Sequence, residues 1–585
     1  MRFLRMLSNS VIAGTLASAY LTVLVLHLNP AFPLTLDDVL PLALVMGLAY
    51  GVNLAAVFYV LIVLRQLTSA EVLSPGWLSV RLLSWLCTIA AGTVAVIMWL
   101  NLRDYSPVLD SQTVTRMTAG AVTMSTSAVV FLLIALAHIG RRGGRVSASL
   151  LVAMMAISIA APLGARGRAA ARTLESRPLV SSLAPPPTPS EDRVILMAFD
   201  GATLDIISPA VAEGRLPNFG RIFDAGAVLH LATLKPTQAE PVWSAAMTGK
   251  RPGANGIRAS ARYRVRSRGA PLELLPDYCF SQALVGFGFL REEPHTVESL
   301  LARPLWSILS DAAIPVGVIG FPLAHPVSAI HGFIVSDDFH RIANAVGGLE
   351  AGSGVSPAAL YAEVRASLDH PSTPDPEAVL AAIAETPAGA DPRPDPAPIA
   401  GDRAHLQIVR AMQRVLPTRF TAVRFPGLDA VGHYFFRYAN PSAFGDVSEA
   451  ERRQYGRVLD DYYGFVDAVV GSALESLQPG DLLLVVSAFG MEPLSPGKRV
   501  LEQLIGNADI SGTHERAPDG FLLAYGSHVV PGRPERASLV DLTPTVLYYL
   551  GLPVARDMDG FARTDLFQPS FTASRPVTFI PTYGR

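Results

Sequence analysis

The sequence predicts an α-helical, membrane-embedded region followed by an α/β domain whose largely parallel central sheet is covered by helices on both faces. Three observations lead to this fold class. The chain has 585 residues, which is too long for one domain. Hydrophobic residues make up 50% of it, and nearly all of the surplus lies before residue 165. After residue 193, short apolar runs of strand length alternate with helical patterns, which is typical of a parallel sheet with crossover helices.

The first 165 residues contain five apolar runs that are long enough to span a bilayer. These runs lie near residues 11–28, 41–64, 82–100, 119–139 and 147–164. The first run follows Arg2 and Arg5 and could be mistaken for a secretion signal, but the four runs after it favour an uncleaved anchor. Because no charged residue stands near the centre of a run, the region is predicted to anchor the chain rather than to transport a solute.

Loop charges predict the orientation of these spans. One set of loops carries Arg2, Arg5, Arg65, Arg81, Arg141, Arg142 and Arg145. The opposite loops carry only Arg103 and Arg116 before the long C-terminal part begins. Positively charged loops stay in the cytoplasm, so the N-terminus is predicted to be cytoplasmic and the C-terminal part extracytoplasmic. We therefore expect a multi-pass protein of the cytoplasmic (inner) membrane of a bacterium, with the lipid bilayer as a partner.

The remainder of the chain divides into a linker and one large domain. Residues 166–192 form a predicted linker, because the stretch APPPTPSED is stiff and polar. The α/β domain is predicted over residues 193–585. Stretches near 258–304 and 352–398 do not fit the alternation of strands and helices and are predicted to be insertions. The first is expected to form a cap over the site, and the second a surface loop. A net charge of −2 and the lack of a basic stripe argue against nucleic-acid binding.

The stretch GLDAVGHYFFRY, residues 427–438, carries the most specific chemical signal. Asp429 and His433 are four residues apart, so one helical turn places a carboxylate beside an imidazole. Most such pairs are a capping Asp beside a packed His. A third candidate ligand, His514 in GTHERAPDG, favours a metal here. The three residues would form a three-ligand site with an open fourth position, which is typical of catalytic zinc.

The predicted strands end close to these residues. The first strand ends at Asp200, and another, at residues 421–425, ends shortly before Asp429. Ligands of open α/β sheets bind at the carboxyl ends of the strands. We therefore expect Asp200, Asp429 and the loops after Val486 and before Phe521 to converge on one site.

Seven sequence blocks resemble the type I phosphodiesterase/nucleotide pyrophosphatase family of the alkaline phosphatase superfamily. The blocks are AFDGATLDII, GRLPNFGRIF, PTQAEPVWSAAMTGKRPGANGI, GLDAVGHYFFRY, SAFGM, SGTHERAPDG and DLTPTVLYYLGLPVARDMDG. The resemblance implies an alkaline-phosphatase-like fold and metal-dependent phosphodiesterase or phosphatase chemistry with two zinc-type ions. It assigns one of these ions to Asp429, His433 and His514, all of which are present.

The second metal position departs from the family pattern. Asp200 matches the aspartate of the first strand. The nucleophile position, four residues before Trp243, is occupied by Ala239. The family motif S-D-H-G reads SAFG, so Ala488 and Phe489 stand where two ligands are expected. With these residues the resemblance implies that the second metal site is degenerate and that the two-metal covalent mechanism cannot run.

Three further residues qualify this interpretation. Thr237 would replace the nucleophile if the loop after Leu234 were arranged differently, and Glu240 would then lend a carboxylate. The competing interpretation is that Thr237 caps the following helix. Asn255 stands where the H-G-I motif of the family has its histidine.

Two functions remain open from the sequence. In the first, the protein is a pseudoenzyme, a membrane-anchored extracytoplasmic module with lost or strongly reduced phosphoester hydrolysis. It would bind a phosphate-bearing or lipid-linked small molecule, or a protein partner. In the alternative, it is a single-metal hydrolase of phosphate mono- or diesters that uses a zinc-bound hydroxide. The joint loss of three ligands of the second metal site favours the pseudoenzyme. Both functions involve at most one divalent ion, which is expected to be zinc.

Overall fold

The computed structural model describes residues 2–68, 80–137, 145–166, 192–265, 269–337, 339, 354–370, 373–384, 396–445, 447–505, 510–514 and 518–584. The chain forms two compact units. The first comprises Met1–Glu175 and Arg258–His295, and the second comprises Ser176–Ile257 and Thr296–Arg585. The sequence divides the chain at residues 165 and 193. The structure differs from that division in one segment, Arg258–His295, which clusters with the N-terminal helices.

Long apolar helices dominate the first unit. Within the described residues they are α1 (Arg2–Leu28), α2 (Leu36–Met46), a π-helical turn (Gly47–Gly51), α3 (Val52–Thr68), α4 (Val80–Tyr105), α5 (Ser111–Ala137) and α6 (Arg145–Ala165). Five described stretches are long and apolar enough to cross a membrane: Phe3–Leu28, Leu36–Leu64, Leu82–Val108, Ser111–Ala137 and Ala148–Ala165. This confirms the five apolar helices expected from the sequence. Their orientation stays a prediction, and Arg141 and Arg142 lie outside the described residues.

Small residues allow α1 to approach the π-helical turn closely. A Cβ atom added to Gly14 of α1 would lie 2.2 Å from the carbonyl oxygen of Gly51. A Cβ atom added to Gly51 would lie 3.2 Å from the hydroxyl of Ser18. In lipid, helices associate mainly through such close backbone packing, so these glycines set the distance between the two helices.

A buried arginine caps the end of α1. Arg166 follows α6 and is 3% exposed. Its guanidinium donates hydrogen bonds to three backbone carbonyl oxygens, those of Leu26 (2.5 Å), Asn29 (2.9 Å) and Phe32 (2.5 Å). The last carbonyl groups of a helix lack partners within the helix and carry the negative end of its dipole. Arg166 therefore satisfies the carbonyl of Leu26 in the last turn of α1 and ties the end of α6 to the end of α1 and the turn after it.

Two buried asparagines tie the segment Arg258–His295 to the helix ends. The side chain of Asn29 accepts a hydrogen bond from the N–H of Leu274 at 2.9 Å and donates one to its carbonyl at 2.8 Å. Asn101 accepts from the N–H of Asp277 at 2.8 Å and donates to its carbonyl at 3.2 Å. These side-chain amides replace the backbone partners that an irregular segment lacks.

A nine-stranded sheet forms the centre of the second unit. Its strands are β1 (Val194–Phe199), β2 (Ala227–Ala232), β3 (Val316–Ile319), β4 (Gly332–Val335), β5 (Val355–Ser356), β6 (Phe420–Phe425), β7 (Leu482–Phe489), β8 (Asp519–Gly526) and β9 (Ala537–Ser538). They lie in the order β9-β2-β8-β7-β1-β6-β3-β4-β5. The inner run β7-β1-β6-β3-β4 is parallel, whereas β8 is antiparallel to both of its neighbours. The sheet is therefore largely parallel, as the sequence predicts.

Helices cover both faces of this sheet. The principal ones are α7 (Leu204–Ala212), α8 (Pro217–Ala225), α9 (Ala239–Thr248), α10 (Leu305–Asp311), α11 (Ala397–Val415), α12 (Gly427–Ala439), α13 (Val458–Ser476) and α14 (Leu542–Tyr549). One hydrophobic core contains residues of α9, α10 and α14 with Val194, Leu196 and Ala198 of β1. The other contains residues of α7, α8, α11, α12 and α13 with Ile195, Met197 and Phe199. A strand buried on both faces has a continuous apolar sequence, which accounts for the run VILMAF in β1.

Short elements complete the described structure. The helices are Pro252–Asn255, Ala283–Gly286, Tyr361–Ser367, Glu377–Ala384, Glu449–Tyr455, Pro496–Ile505 and Pro569–Ser574. The two-stranded pairs are Ala261–Val265 with Leu290–Pro294, Glu492–Pro493 with Gly512–Thr513, and Val554–Ala555 with Phe579–Ile580.

Two predicted segments are described only in part. Residues 167–191 of the predicted linker lie outside the described residues. Within the stretch 352–398, Val364, Val379 and Ile383 are buried in the core that contains α13. The described part of this stretch is therefore packed on the domain.

Candidate functional site

The candidate site lies at the carboxyl edge of the parallel strands. Asp200 directly follows β1, Phe489 ends β7, and Asp429 lies in the first turn of α12, after β6. A Cβ atom added to Gly201, whose φ is +75°, would lie 3.0 Å from the Cα of Asp429. The ring centroids of Phe489 and His514 are 4.9 Å apart. The structure thus brings together the strand ends from which the sequence predicts one site.

A buried carboxylate fixes the start of α12. Asp402 of α11 accepts hydrogen bonds from the N–H of Gly427 at 3.2 and 3.1 Å and from the hydroxyl of Tyr462 at 2.5 Å. A Cβ atom at position 427 would lie 2.0 Å from the Tyr462 hydroxyl oxygen, so only glycine fits there. A side-chain carboxyl oxygen at a helix N-terminus satisfies N–H groups that have no partner within the helix. These contacts set the position of Asp429, two residues further on.

Asp429, His433 and His514 form the candidate metal centre. One helical turn brings Nε2 of His433 within 3.5 Å of Oδ2 of Asp429. Nε2 of His514 lies 3.8 Å from Oδ1 of the same carboxylate. The three ligand atoms lie within 4.8 Å of one another. The sequence prediction that these residues lie together is matched by this geometry.

Backbone carbonyl groups orient both imidazoles. Nδ1 of His433 lies 2.9 Å from the carbonyl oxygen of Gly512, and Nδ1 of His514 lies 3.1 Å from that of Thr237. A carbonyl oxygen only accepts hydrogen bonds, so each Nδ1 carries the proton. Each Nε2 therefore faces Asp429 and is free to bind a metal ion when it carries no proton, which is the arrangement by which outer residues fix metal-binding histidines.

The electrostatics of this cluster favour a bound cation. Burial opposes ionisation of Asp429, but the hydrogen bond and charge of His433 and the charges of His514 and Arg424 outweigh it, so the pKa of Asp429 is lowered. Burial likewise opposes the charged form of His433, yet its hydrogen bond to Asp429 raises its pKa. Oδ1 of Asp429 is buried and has no hydrogen-bond partner among the described residues. An ionised carboxylate oxygen with no donor beside two oriented imidazoles fits a divalent ion.

The second half of the site is organised around Asp200, which is 1% exposed. The indole N–H of Trp243 donates to Oδ1 at 2.7 Å. Arg424 donates to Oδ2 from Nε at 3.0 Å and from Nη2 at 2.5 Å. Burial would lower the pKa of Arg424, but the charge and hydrogen bonds of Asp200 raise it, so the guanidinium stays charged. Both oxygens of Asp200 are therefore held by protein donors.

Arg424 is the functional residue that the sequence interpretation missed. It lies in β6, where it is paired in register with Ala198 of β1, two residues before Asp200. Its signal was present in the sequence, because TAVRF contains one charged residue in an otherwise buried strand. A charge in such a strand requires an opposite charge nearby, and the adjacent strand end supplies Asp200.

The positions that replace the family ligands are apolar in the structure as well. Ala239 is the first residue of α9 and contacts the hydrophobic core with its methyl group. Ala488 and Phe489 are 0% and 1% exposed at the end of β7. The Phe489 ring packs against the imidazole of His514. None of these three side chains offers a ligand atom to a metal at Asp200.

Thr237 does not cap α9, and its replacement of the nucleophile stays a prediction. Its hydroxyl donates to the carbonyl oxygen of Leu234 at 2.8 Å, and the side chain is buried. The helix-capping prediction is wrong, because Gln238 is the N-cap residue of α9. The backbone of Thr237 matters instead, since its carbonyl orients His514. Glu240 contributes its negative charge to the surroundings of Arg424.

Asn255 closes a turn. Its amide donates to the carbonyl of Lys250 at 2.9 Å and to the hydroxyl of Ser244 at 3.2 Å, while its oxygen accepts from the N–H of Ile257 at 2.9 Å. The residue is fully buried. Its polar atoms are thus used by the local backbone.

Comparisons with known proteins agree with the fold and the motifs. The family model for type I phosphodiesterase / nucleotide pyrophosphatase matches residues 194–539. This range contains Asp200, the metal-centre candidates and the replaced positions. No curated protein matches the chain.

Solved structures with some likeness include the murine and human ectonucleotide pyrophosphatase/phosphodiesterase 5. The murine protein is 14% identical with a TM-score of 0.37, and the human protein is 14% identical with a TM-score of 0.36. Each comparison covers 64% of this chain and 100% of the other. An inactive variant of the murine protein in complex with AMP gives the same TM-score of 0.37.

Proposed function

Since this chain belongs to the type I phosphodiesterase/nucleotide pyrophosphatase family, we propose that its α/β domain binds a ligand and has lost, or strongly reduced, the phosphoester hydrolysis of the family. The ligand is a phosphate-bearing or lipid-linked small molecule. One divalent ion, zinc in view of its two nitrogen ligands and one oxygen ligand, is retained at Asp429, His433 and His514.

The observation that carries this proposal is the engagement of Asp200. Arg424 and Trp243 already donate to both of its oxygens. A second ion would have to displace a buried guanidinium, and removing one partner of a buried ion pair costs about 3–5 kcal/mol. Ala239, Ala488 and Phe489 offer no ligand atoms to offset that cost. The attacking oxygen and the second cation of the family mechanism are therefore both missing.

The remaining half-site is suited to binding. An ion held by Asp429, His433 and His514 would supply a positive charge and an open coordination position for a phosphate oxygen. The chain's own contribution is to keep both Nε2 atoms directed at one point through the carbonyls of Gly512 and Thr237. Asp200 neutralises the positive charge of Arg424, so this ion pair adds no net charge beside the candidate metal centre.

A single-metal hydrolase is the second candidate function. It is favoured by one specific observation, the complete and oriented ligand set of Asp429, His433 and His514. Both candidate functions require the metal, and they differ in whether the protein hydrolyses a phosphoester.

Binding and turnover should be measured on the same full-length protein in detergent. We expect zinc-dependent binding of AMP or inorganic phosphate, and no cleavage of bis-p-nitrophenyl phosphate above that of a His433→Ala variant. The variant is the matched control because it removes a metal ligand and leaves Asp200 and Arg424 unchanged. Turnover that is zinc-dependent and abolished by His433→Ala would establish the hydrolase instead.

The proposed setting is the cytoplasmic membrane of a bacterium, with the N-terminus inside and the α/β domain outside. Seven arginines on one set of loops support this orientation, because positively charged loops remain in the cytoplasm. Alkaline phosphatase, which is active only outside the cytoplasm, should be active when fused after residue 190. A fusion at that point in which only a cytoplasmic reporter is active would reverse the orientation.

A further inference from the structure

A second feature of the molecule, unrelated to the metal centre, is an apolar loop in the first unit. Residues 278–290, YCFSQALVGFGFL, contain no charged side chain and lie between Asp277 and Arg291. We refer to them as the apolar loop. They fall inside the range matched by the family model, yet they cluster with the N-terminal helices.

Hydrogen bonds fix the apolar loop against helices that can cross a membrane. Tyr50 donates to the carbonyl of Cys279 at 2.8 Å. Tyr50 lies in the candidate span Leu36–Leu64. Cys279 is therefore held against a helix that is long and apolar enough to cross a membrane.

The inner side of the apolar loop is part of the helical core. Cys279 is 7% exposed and belongs to a hydrophobic cluster with residues of α1 and α4. Leu284 and Leu290 belong to a cluster with residues of α1 and α2. Such packing holds the loop at a fixed depth beside the helices.

The outer side of the apolar loop exposes large aromatic side chains. Phe280 is 65% exposed, Phe287 is 81% exposed, and Tyr278 is 48% exposed. Tyr278 and Phe280 have φ of +66° and +56°. Bulky residues rarely adopt this left-handed conformation, so the backbone is constrained here. Tyr278 also accepts a hydrogen bond from Arg103 at 3.0 Å and donates to Asp104, both at the end of α4.

We propose that the apolar loop inserts into the outer boundary of the bilayer and places Phe280 and Phe287 in contact with lipid. The partner is the lipid bilayer itself. The loop is continuous with the membrane-crossing helices, lacks charge over 13 residues, and exposes aromatic rings beside a polar Tyr278, as aromatic residues do at a membrane interface. In water, two large phenylalanine rings would stay hydrated, whereas contact with lipid removes their apolar surface from water.

The test is the accessibility of nitroxide labels on the full-length protein in liposomes of phosphatidylcholine and phosphatidylglycerol. Labels are placed singly at Phe280→Cys and Phe287→Cys in a Cys87→Ala/Cys279→Ala background. Phe561→Cys is the matched control, because Phe561 is 76% exposed in the second unit, and Leu61→Cys, 57% exposed in α3, is the lipid reference. Collision with oxygen reports lipid, and collision with a polar nickel chelate reports water.

We expect the oxygen-to-nickel accessibility ratio at 280 and 287 to match that at 61 and to exceed that at 561 by about tenfold, since a polar chelate is excluded from hydrocarbon. A ratio equal to that at 561 would overturn the proposal. Labels shielded from both reagents would also overturn it, by showing a protein cover such as a second copy. If the cysteine-free background does not fold, benzoylphenylalanine at 280 or 287 in the native background should crosslink to lipid, whereas crosslinks to protein alone would contradict the proposal.

Discussion

The two halves of the candidate site lie on adjacent parallel strands, and they treat their central carboxylate in opposite ways. Asp429 has one buried oxygen with no hydrogen-bond partner among the described residues and two imidazoles directed at it. Asp200 has both oxygens held by Trp243 and Arg424. A buried carboxylate requires a positive charge in either case. In the Asp200 half the protein supplies that charge through Arg424, whereas in the Asp429 half we propose that a metal ion supplies it.

This difference accounts for the stability of the Asp200 half under the proposal that its metal has been lost. Removing a metal from around Asp200 would leave an unpaired buried charge, which costs several kcal/mol. Arg424 removes that cost. Phe489 contacts the ring of His514, so the Asp200 half also packs against the candidate metal centre.

The largest expected effect comes from rebuilding the second half. Changing Ala239→Thr, Ala488→Asp and Phe489→His restores the family ligands, but Arg424 would still occupy Asp200, so this triple variant should bind no second metal. Adding Arg424→Met frees Asp200 and should give a second bound zinc and measurable cleavage of an aryl phosphodiester. Because nucleophile and metals act as a unit, each single reversion should give almost nothing. A second metal in the triple variant would show that Arg424 is not the obstacle.

The next effect is on stability. Arg424→Met should lower the free energy of unfolding by about 3–5 kcal/mol, because Asp200 is left buried and unpaired. The double variant Asp200→Asn/Arg424→Met should recover most of this loss. Asp429→Asn in the other half should cost only about 1–2 kcal/mol, the value of a charged hydrogen bond. These losses are measured by thermal unfolding of the metal-free full chain in detergent. Equal losses of stability in Arg424→Met and Asp429→Asn would contradict the difference between the two halves of the site.

The smallest effect is a pH dependence confined to the metal half. The pKa of His433 is raised by Asp429, so protons compete with the metal above the ordinary value of 6.5. Zinc affinity should rise about tenfold per pH unit up to the raised pKa and then level off. In the metal-free protein, folding stability depends on pH in the opposite direction. The stability from this pair is complete below pH 6.5 and is lost as pH rises through the raised pKa. In the metal-free protein, Asp429→Asn, titrated by calorimetry, should shift the loss of stability to lower pH.

Much of the fold and part of the candidate site could be predicted from the sequence. Continuous apolar strands such as VILMAF indicate a parallel sheet buried on both faces, and the five apolar helices follow from hydropathy. The spacing of Asp429 and His433 indicates their contact because one helical turn is local geometry. His514 was proposed as the third ligand from its place in GTHERAPDG, and the family motif assigns it to the same ion, but its approach to Asp429 depends on the folded loop.

The features that could not be predicted from the sequence depend on contacts between residues far apart in the chain. Asp200 is paired with Arg424, which lies 224 residues further along the chain. No local sequence pattern indicates a pair of residues so far apart. The segment Arg258–His295 looks like an insertion of the α/β domain in sequence order, but Asn29 and Asn101 tie it to the helices. The capping prediction for Thr237 was wrong because its hydroxyl bonds back to Leu234 rather than forward into α9.

The most direct test of the difference between the two halves is the metal content of the purified full-length protein after zinc loading and desalting. One equivalent of zinc per chain is expected in the wild type and in Asp200→Asn/Arg424→Met, and none in His433→Ala, because two remaining ligands rarely retain zinc. Two equivalents in the wild type, or zinc that persists in His433→Ala and is lost from the Asp200→Asn/Arg424→Met variant, would contradict the account.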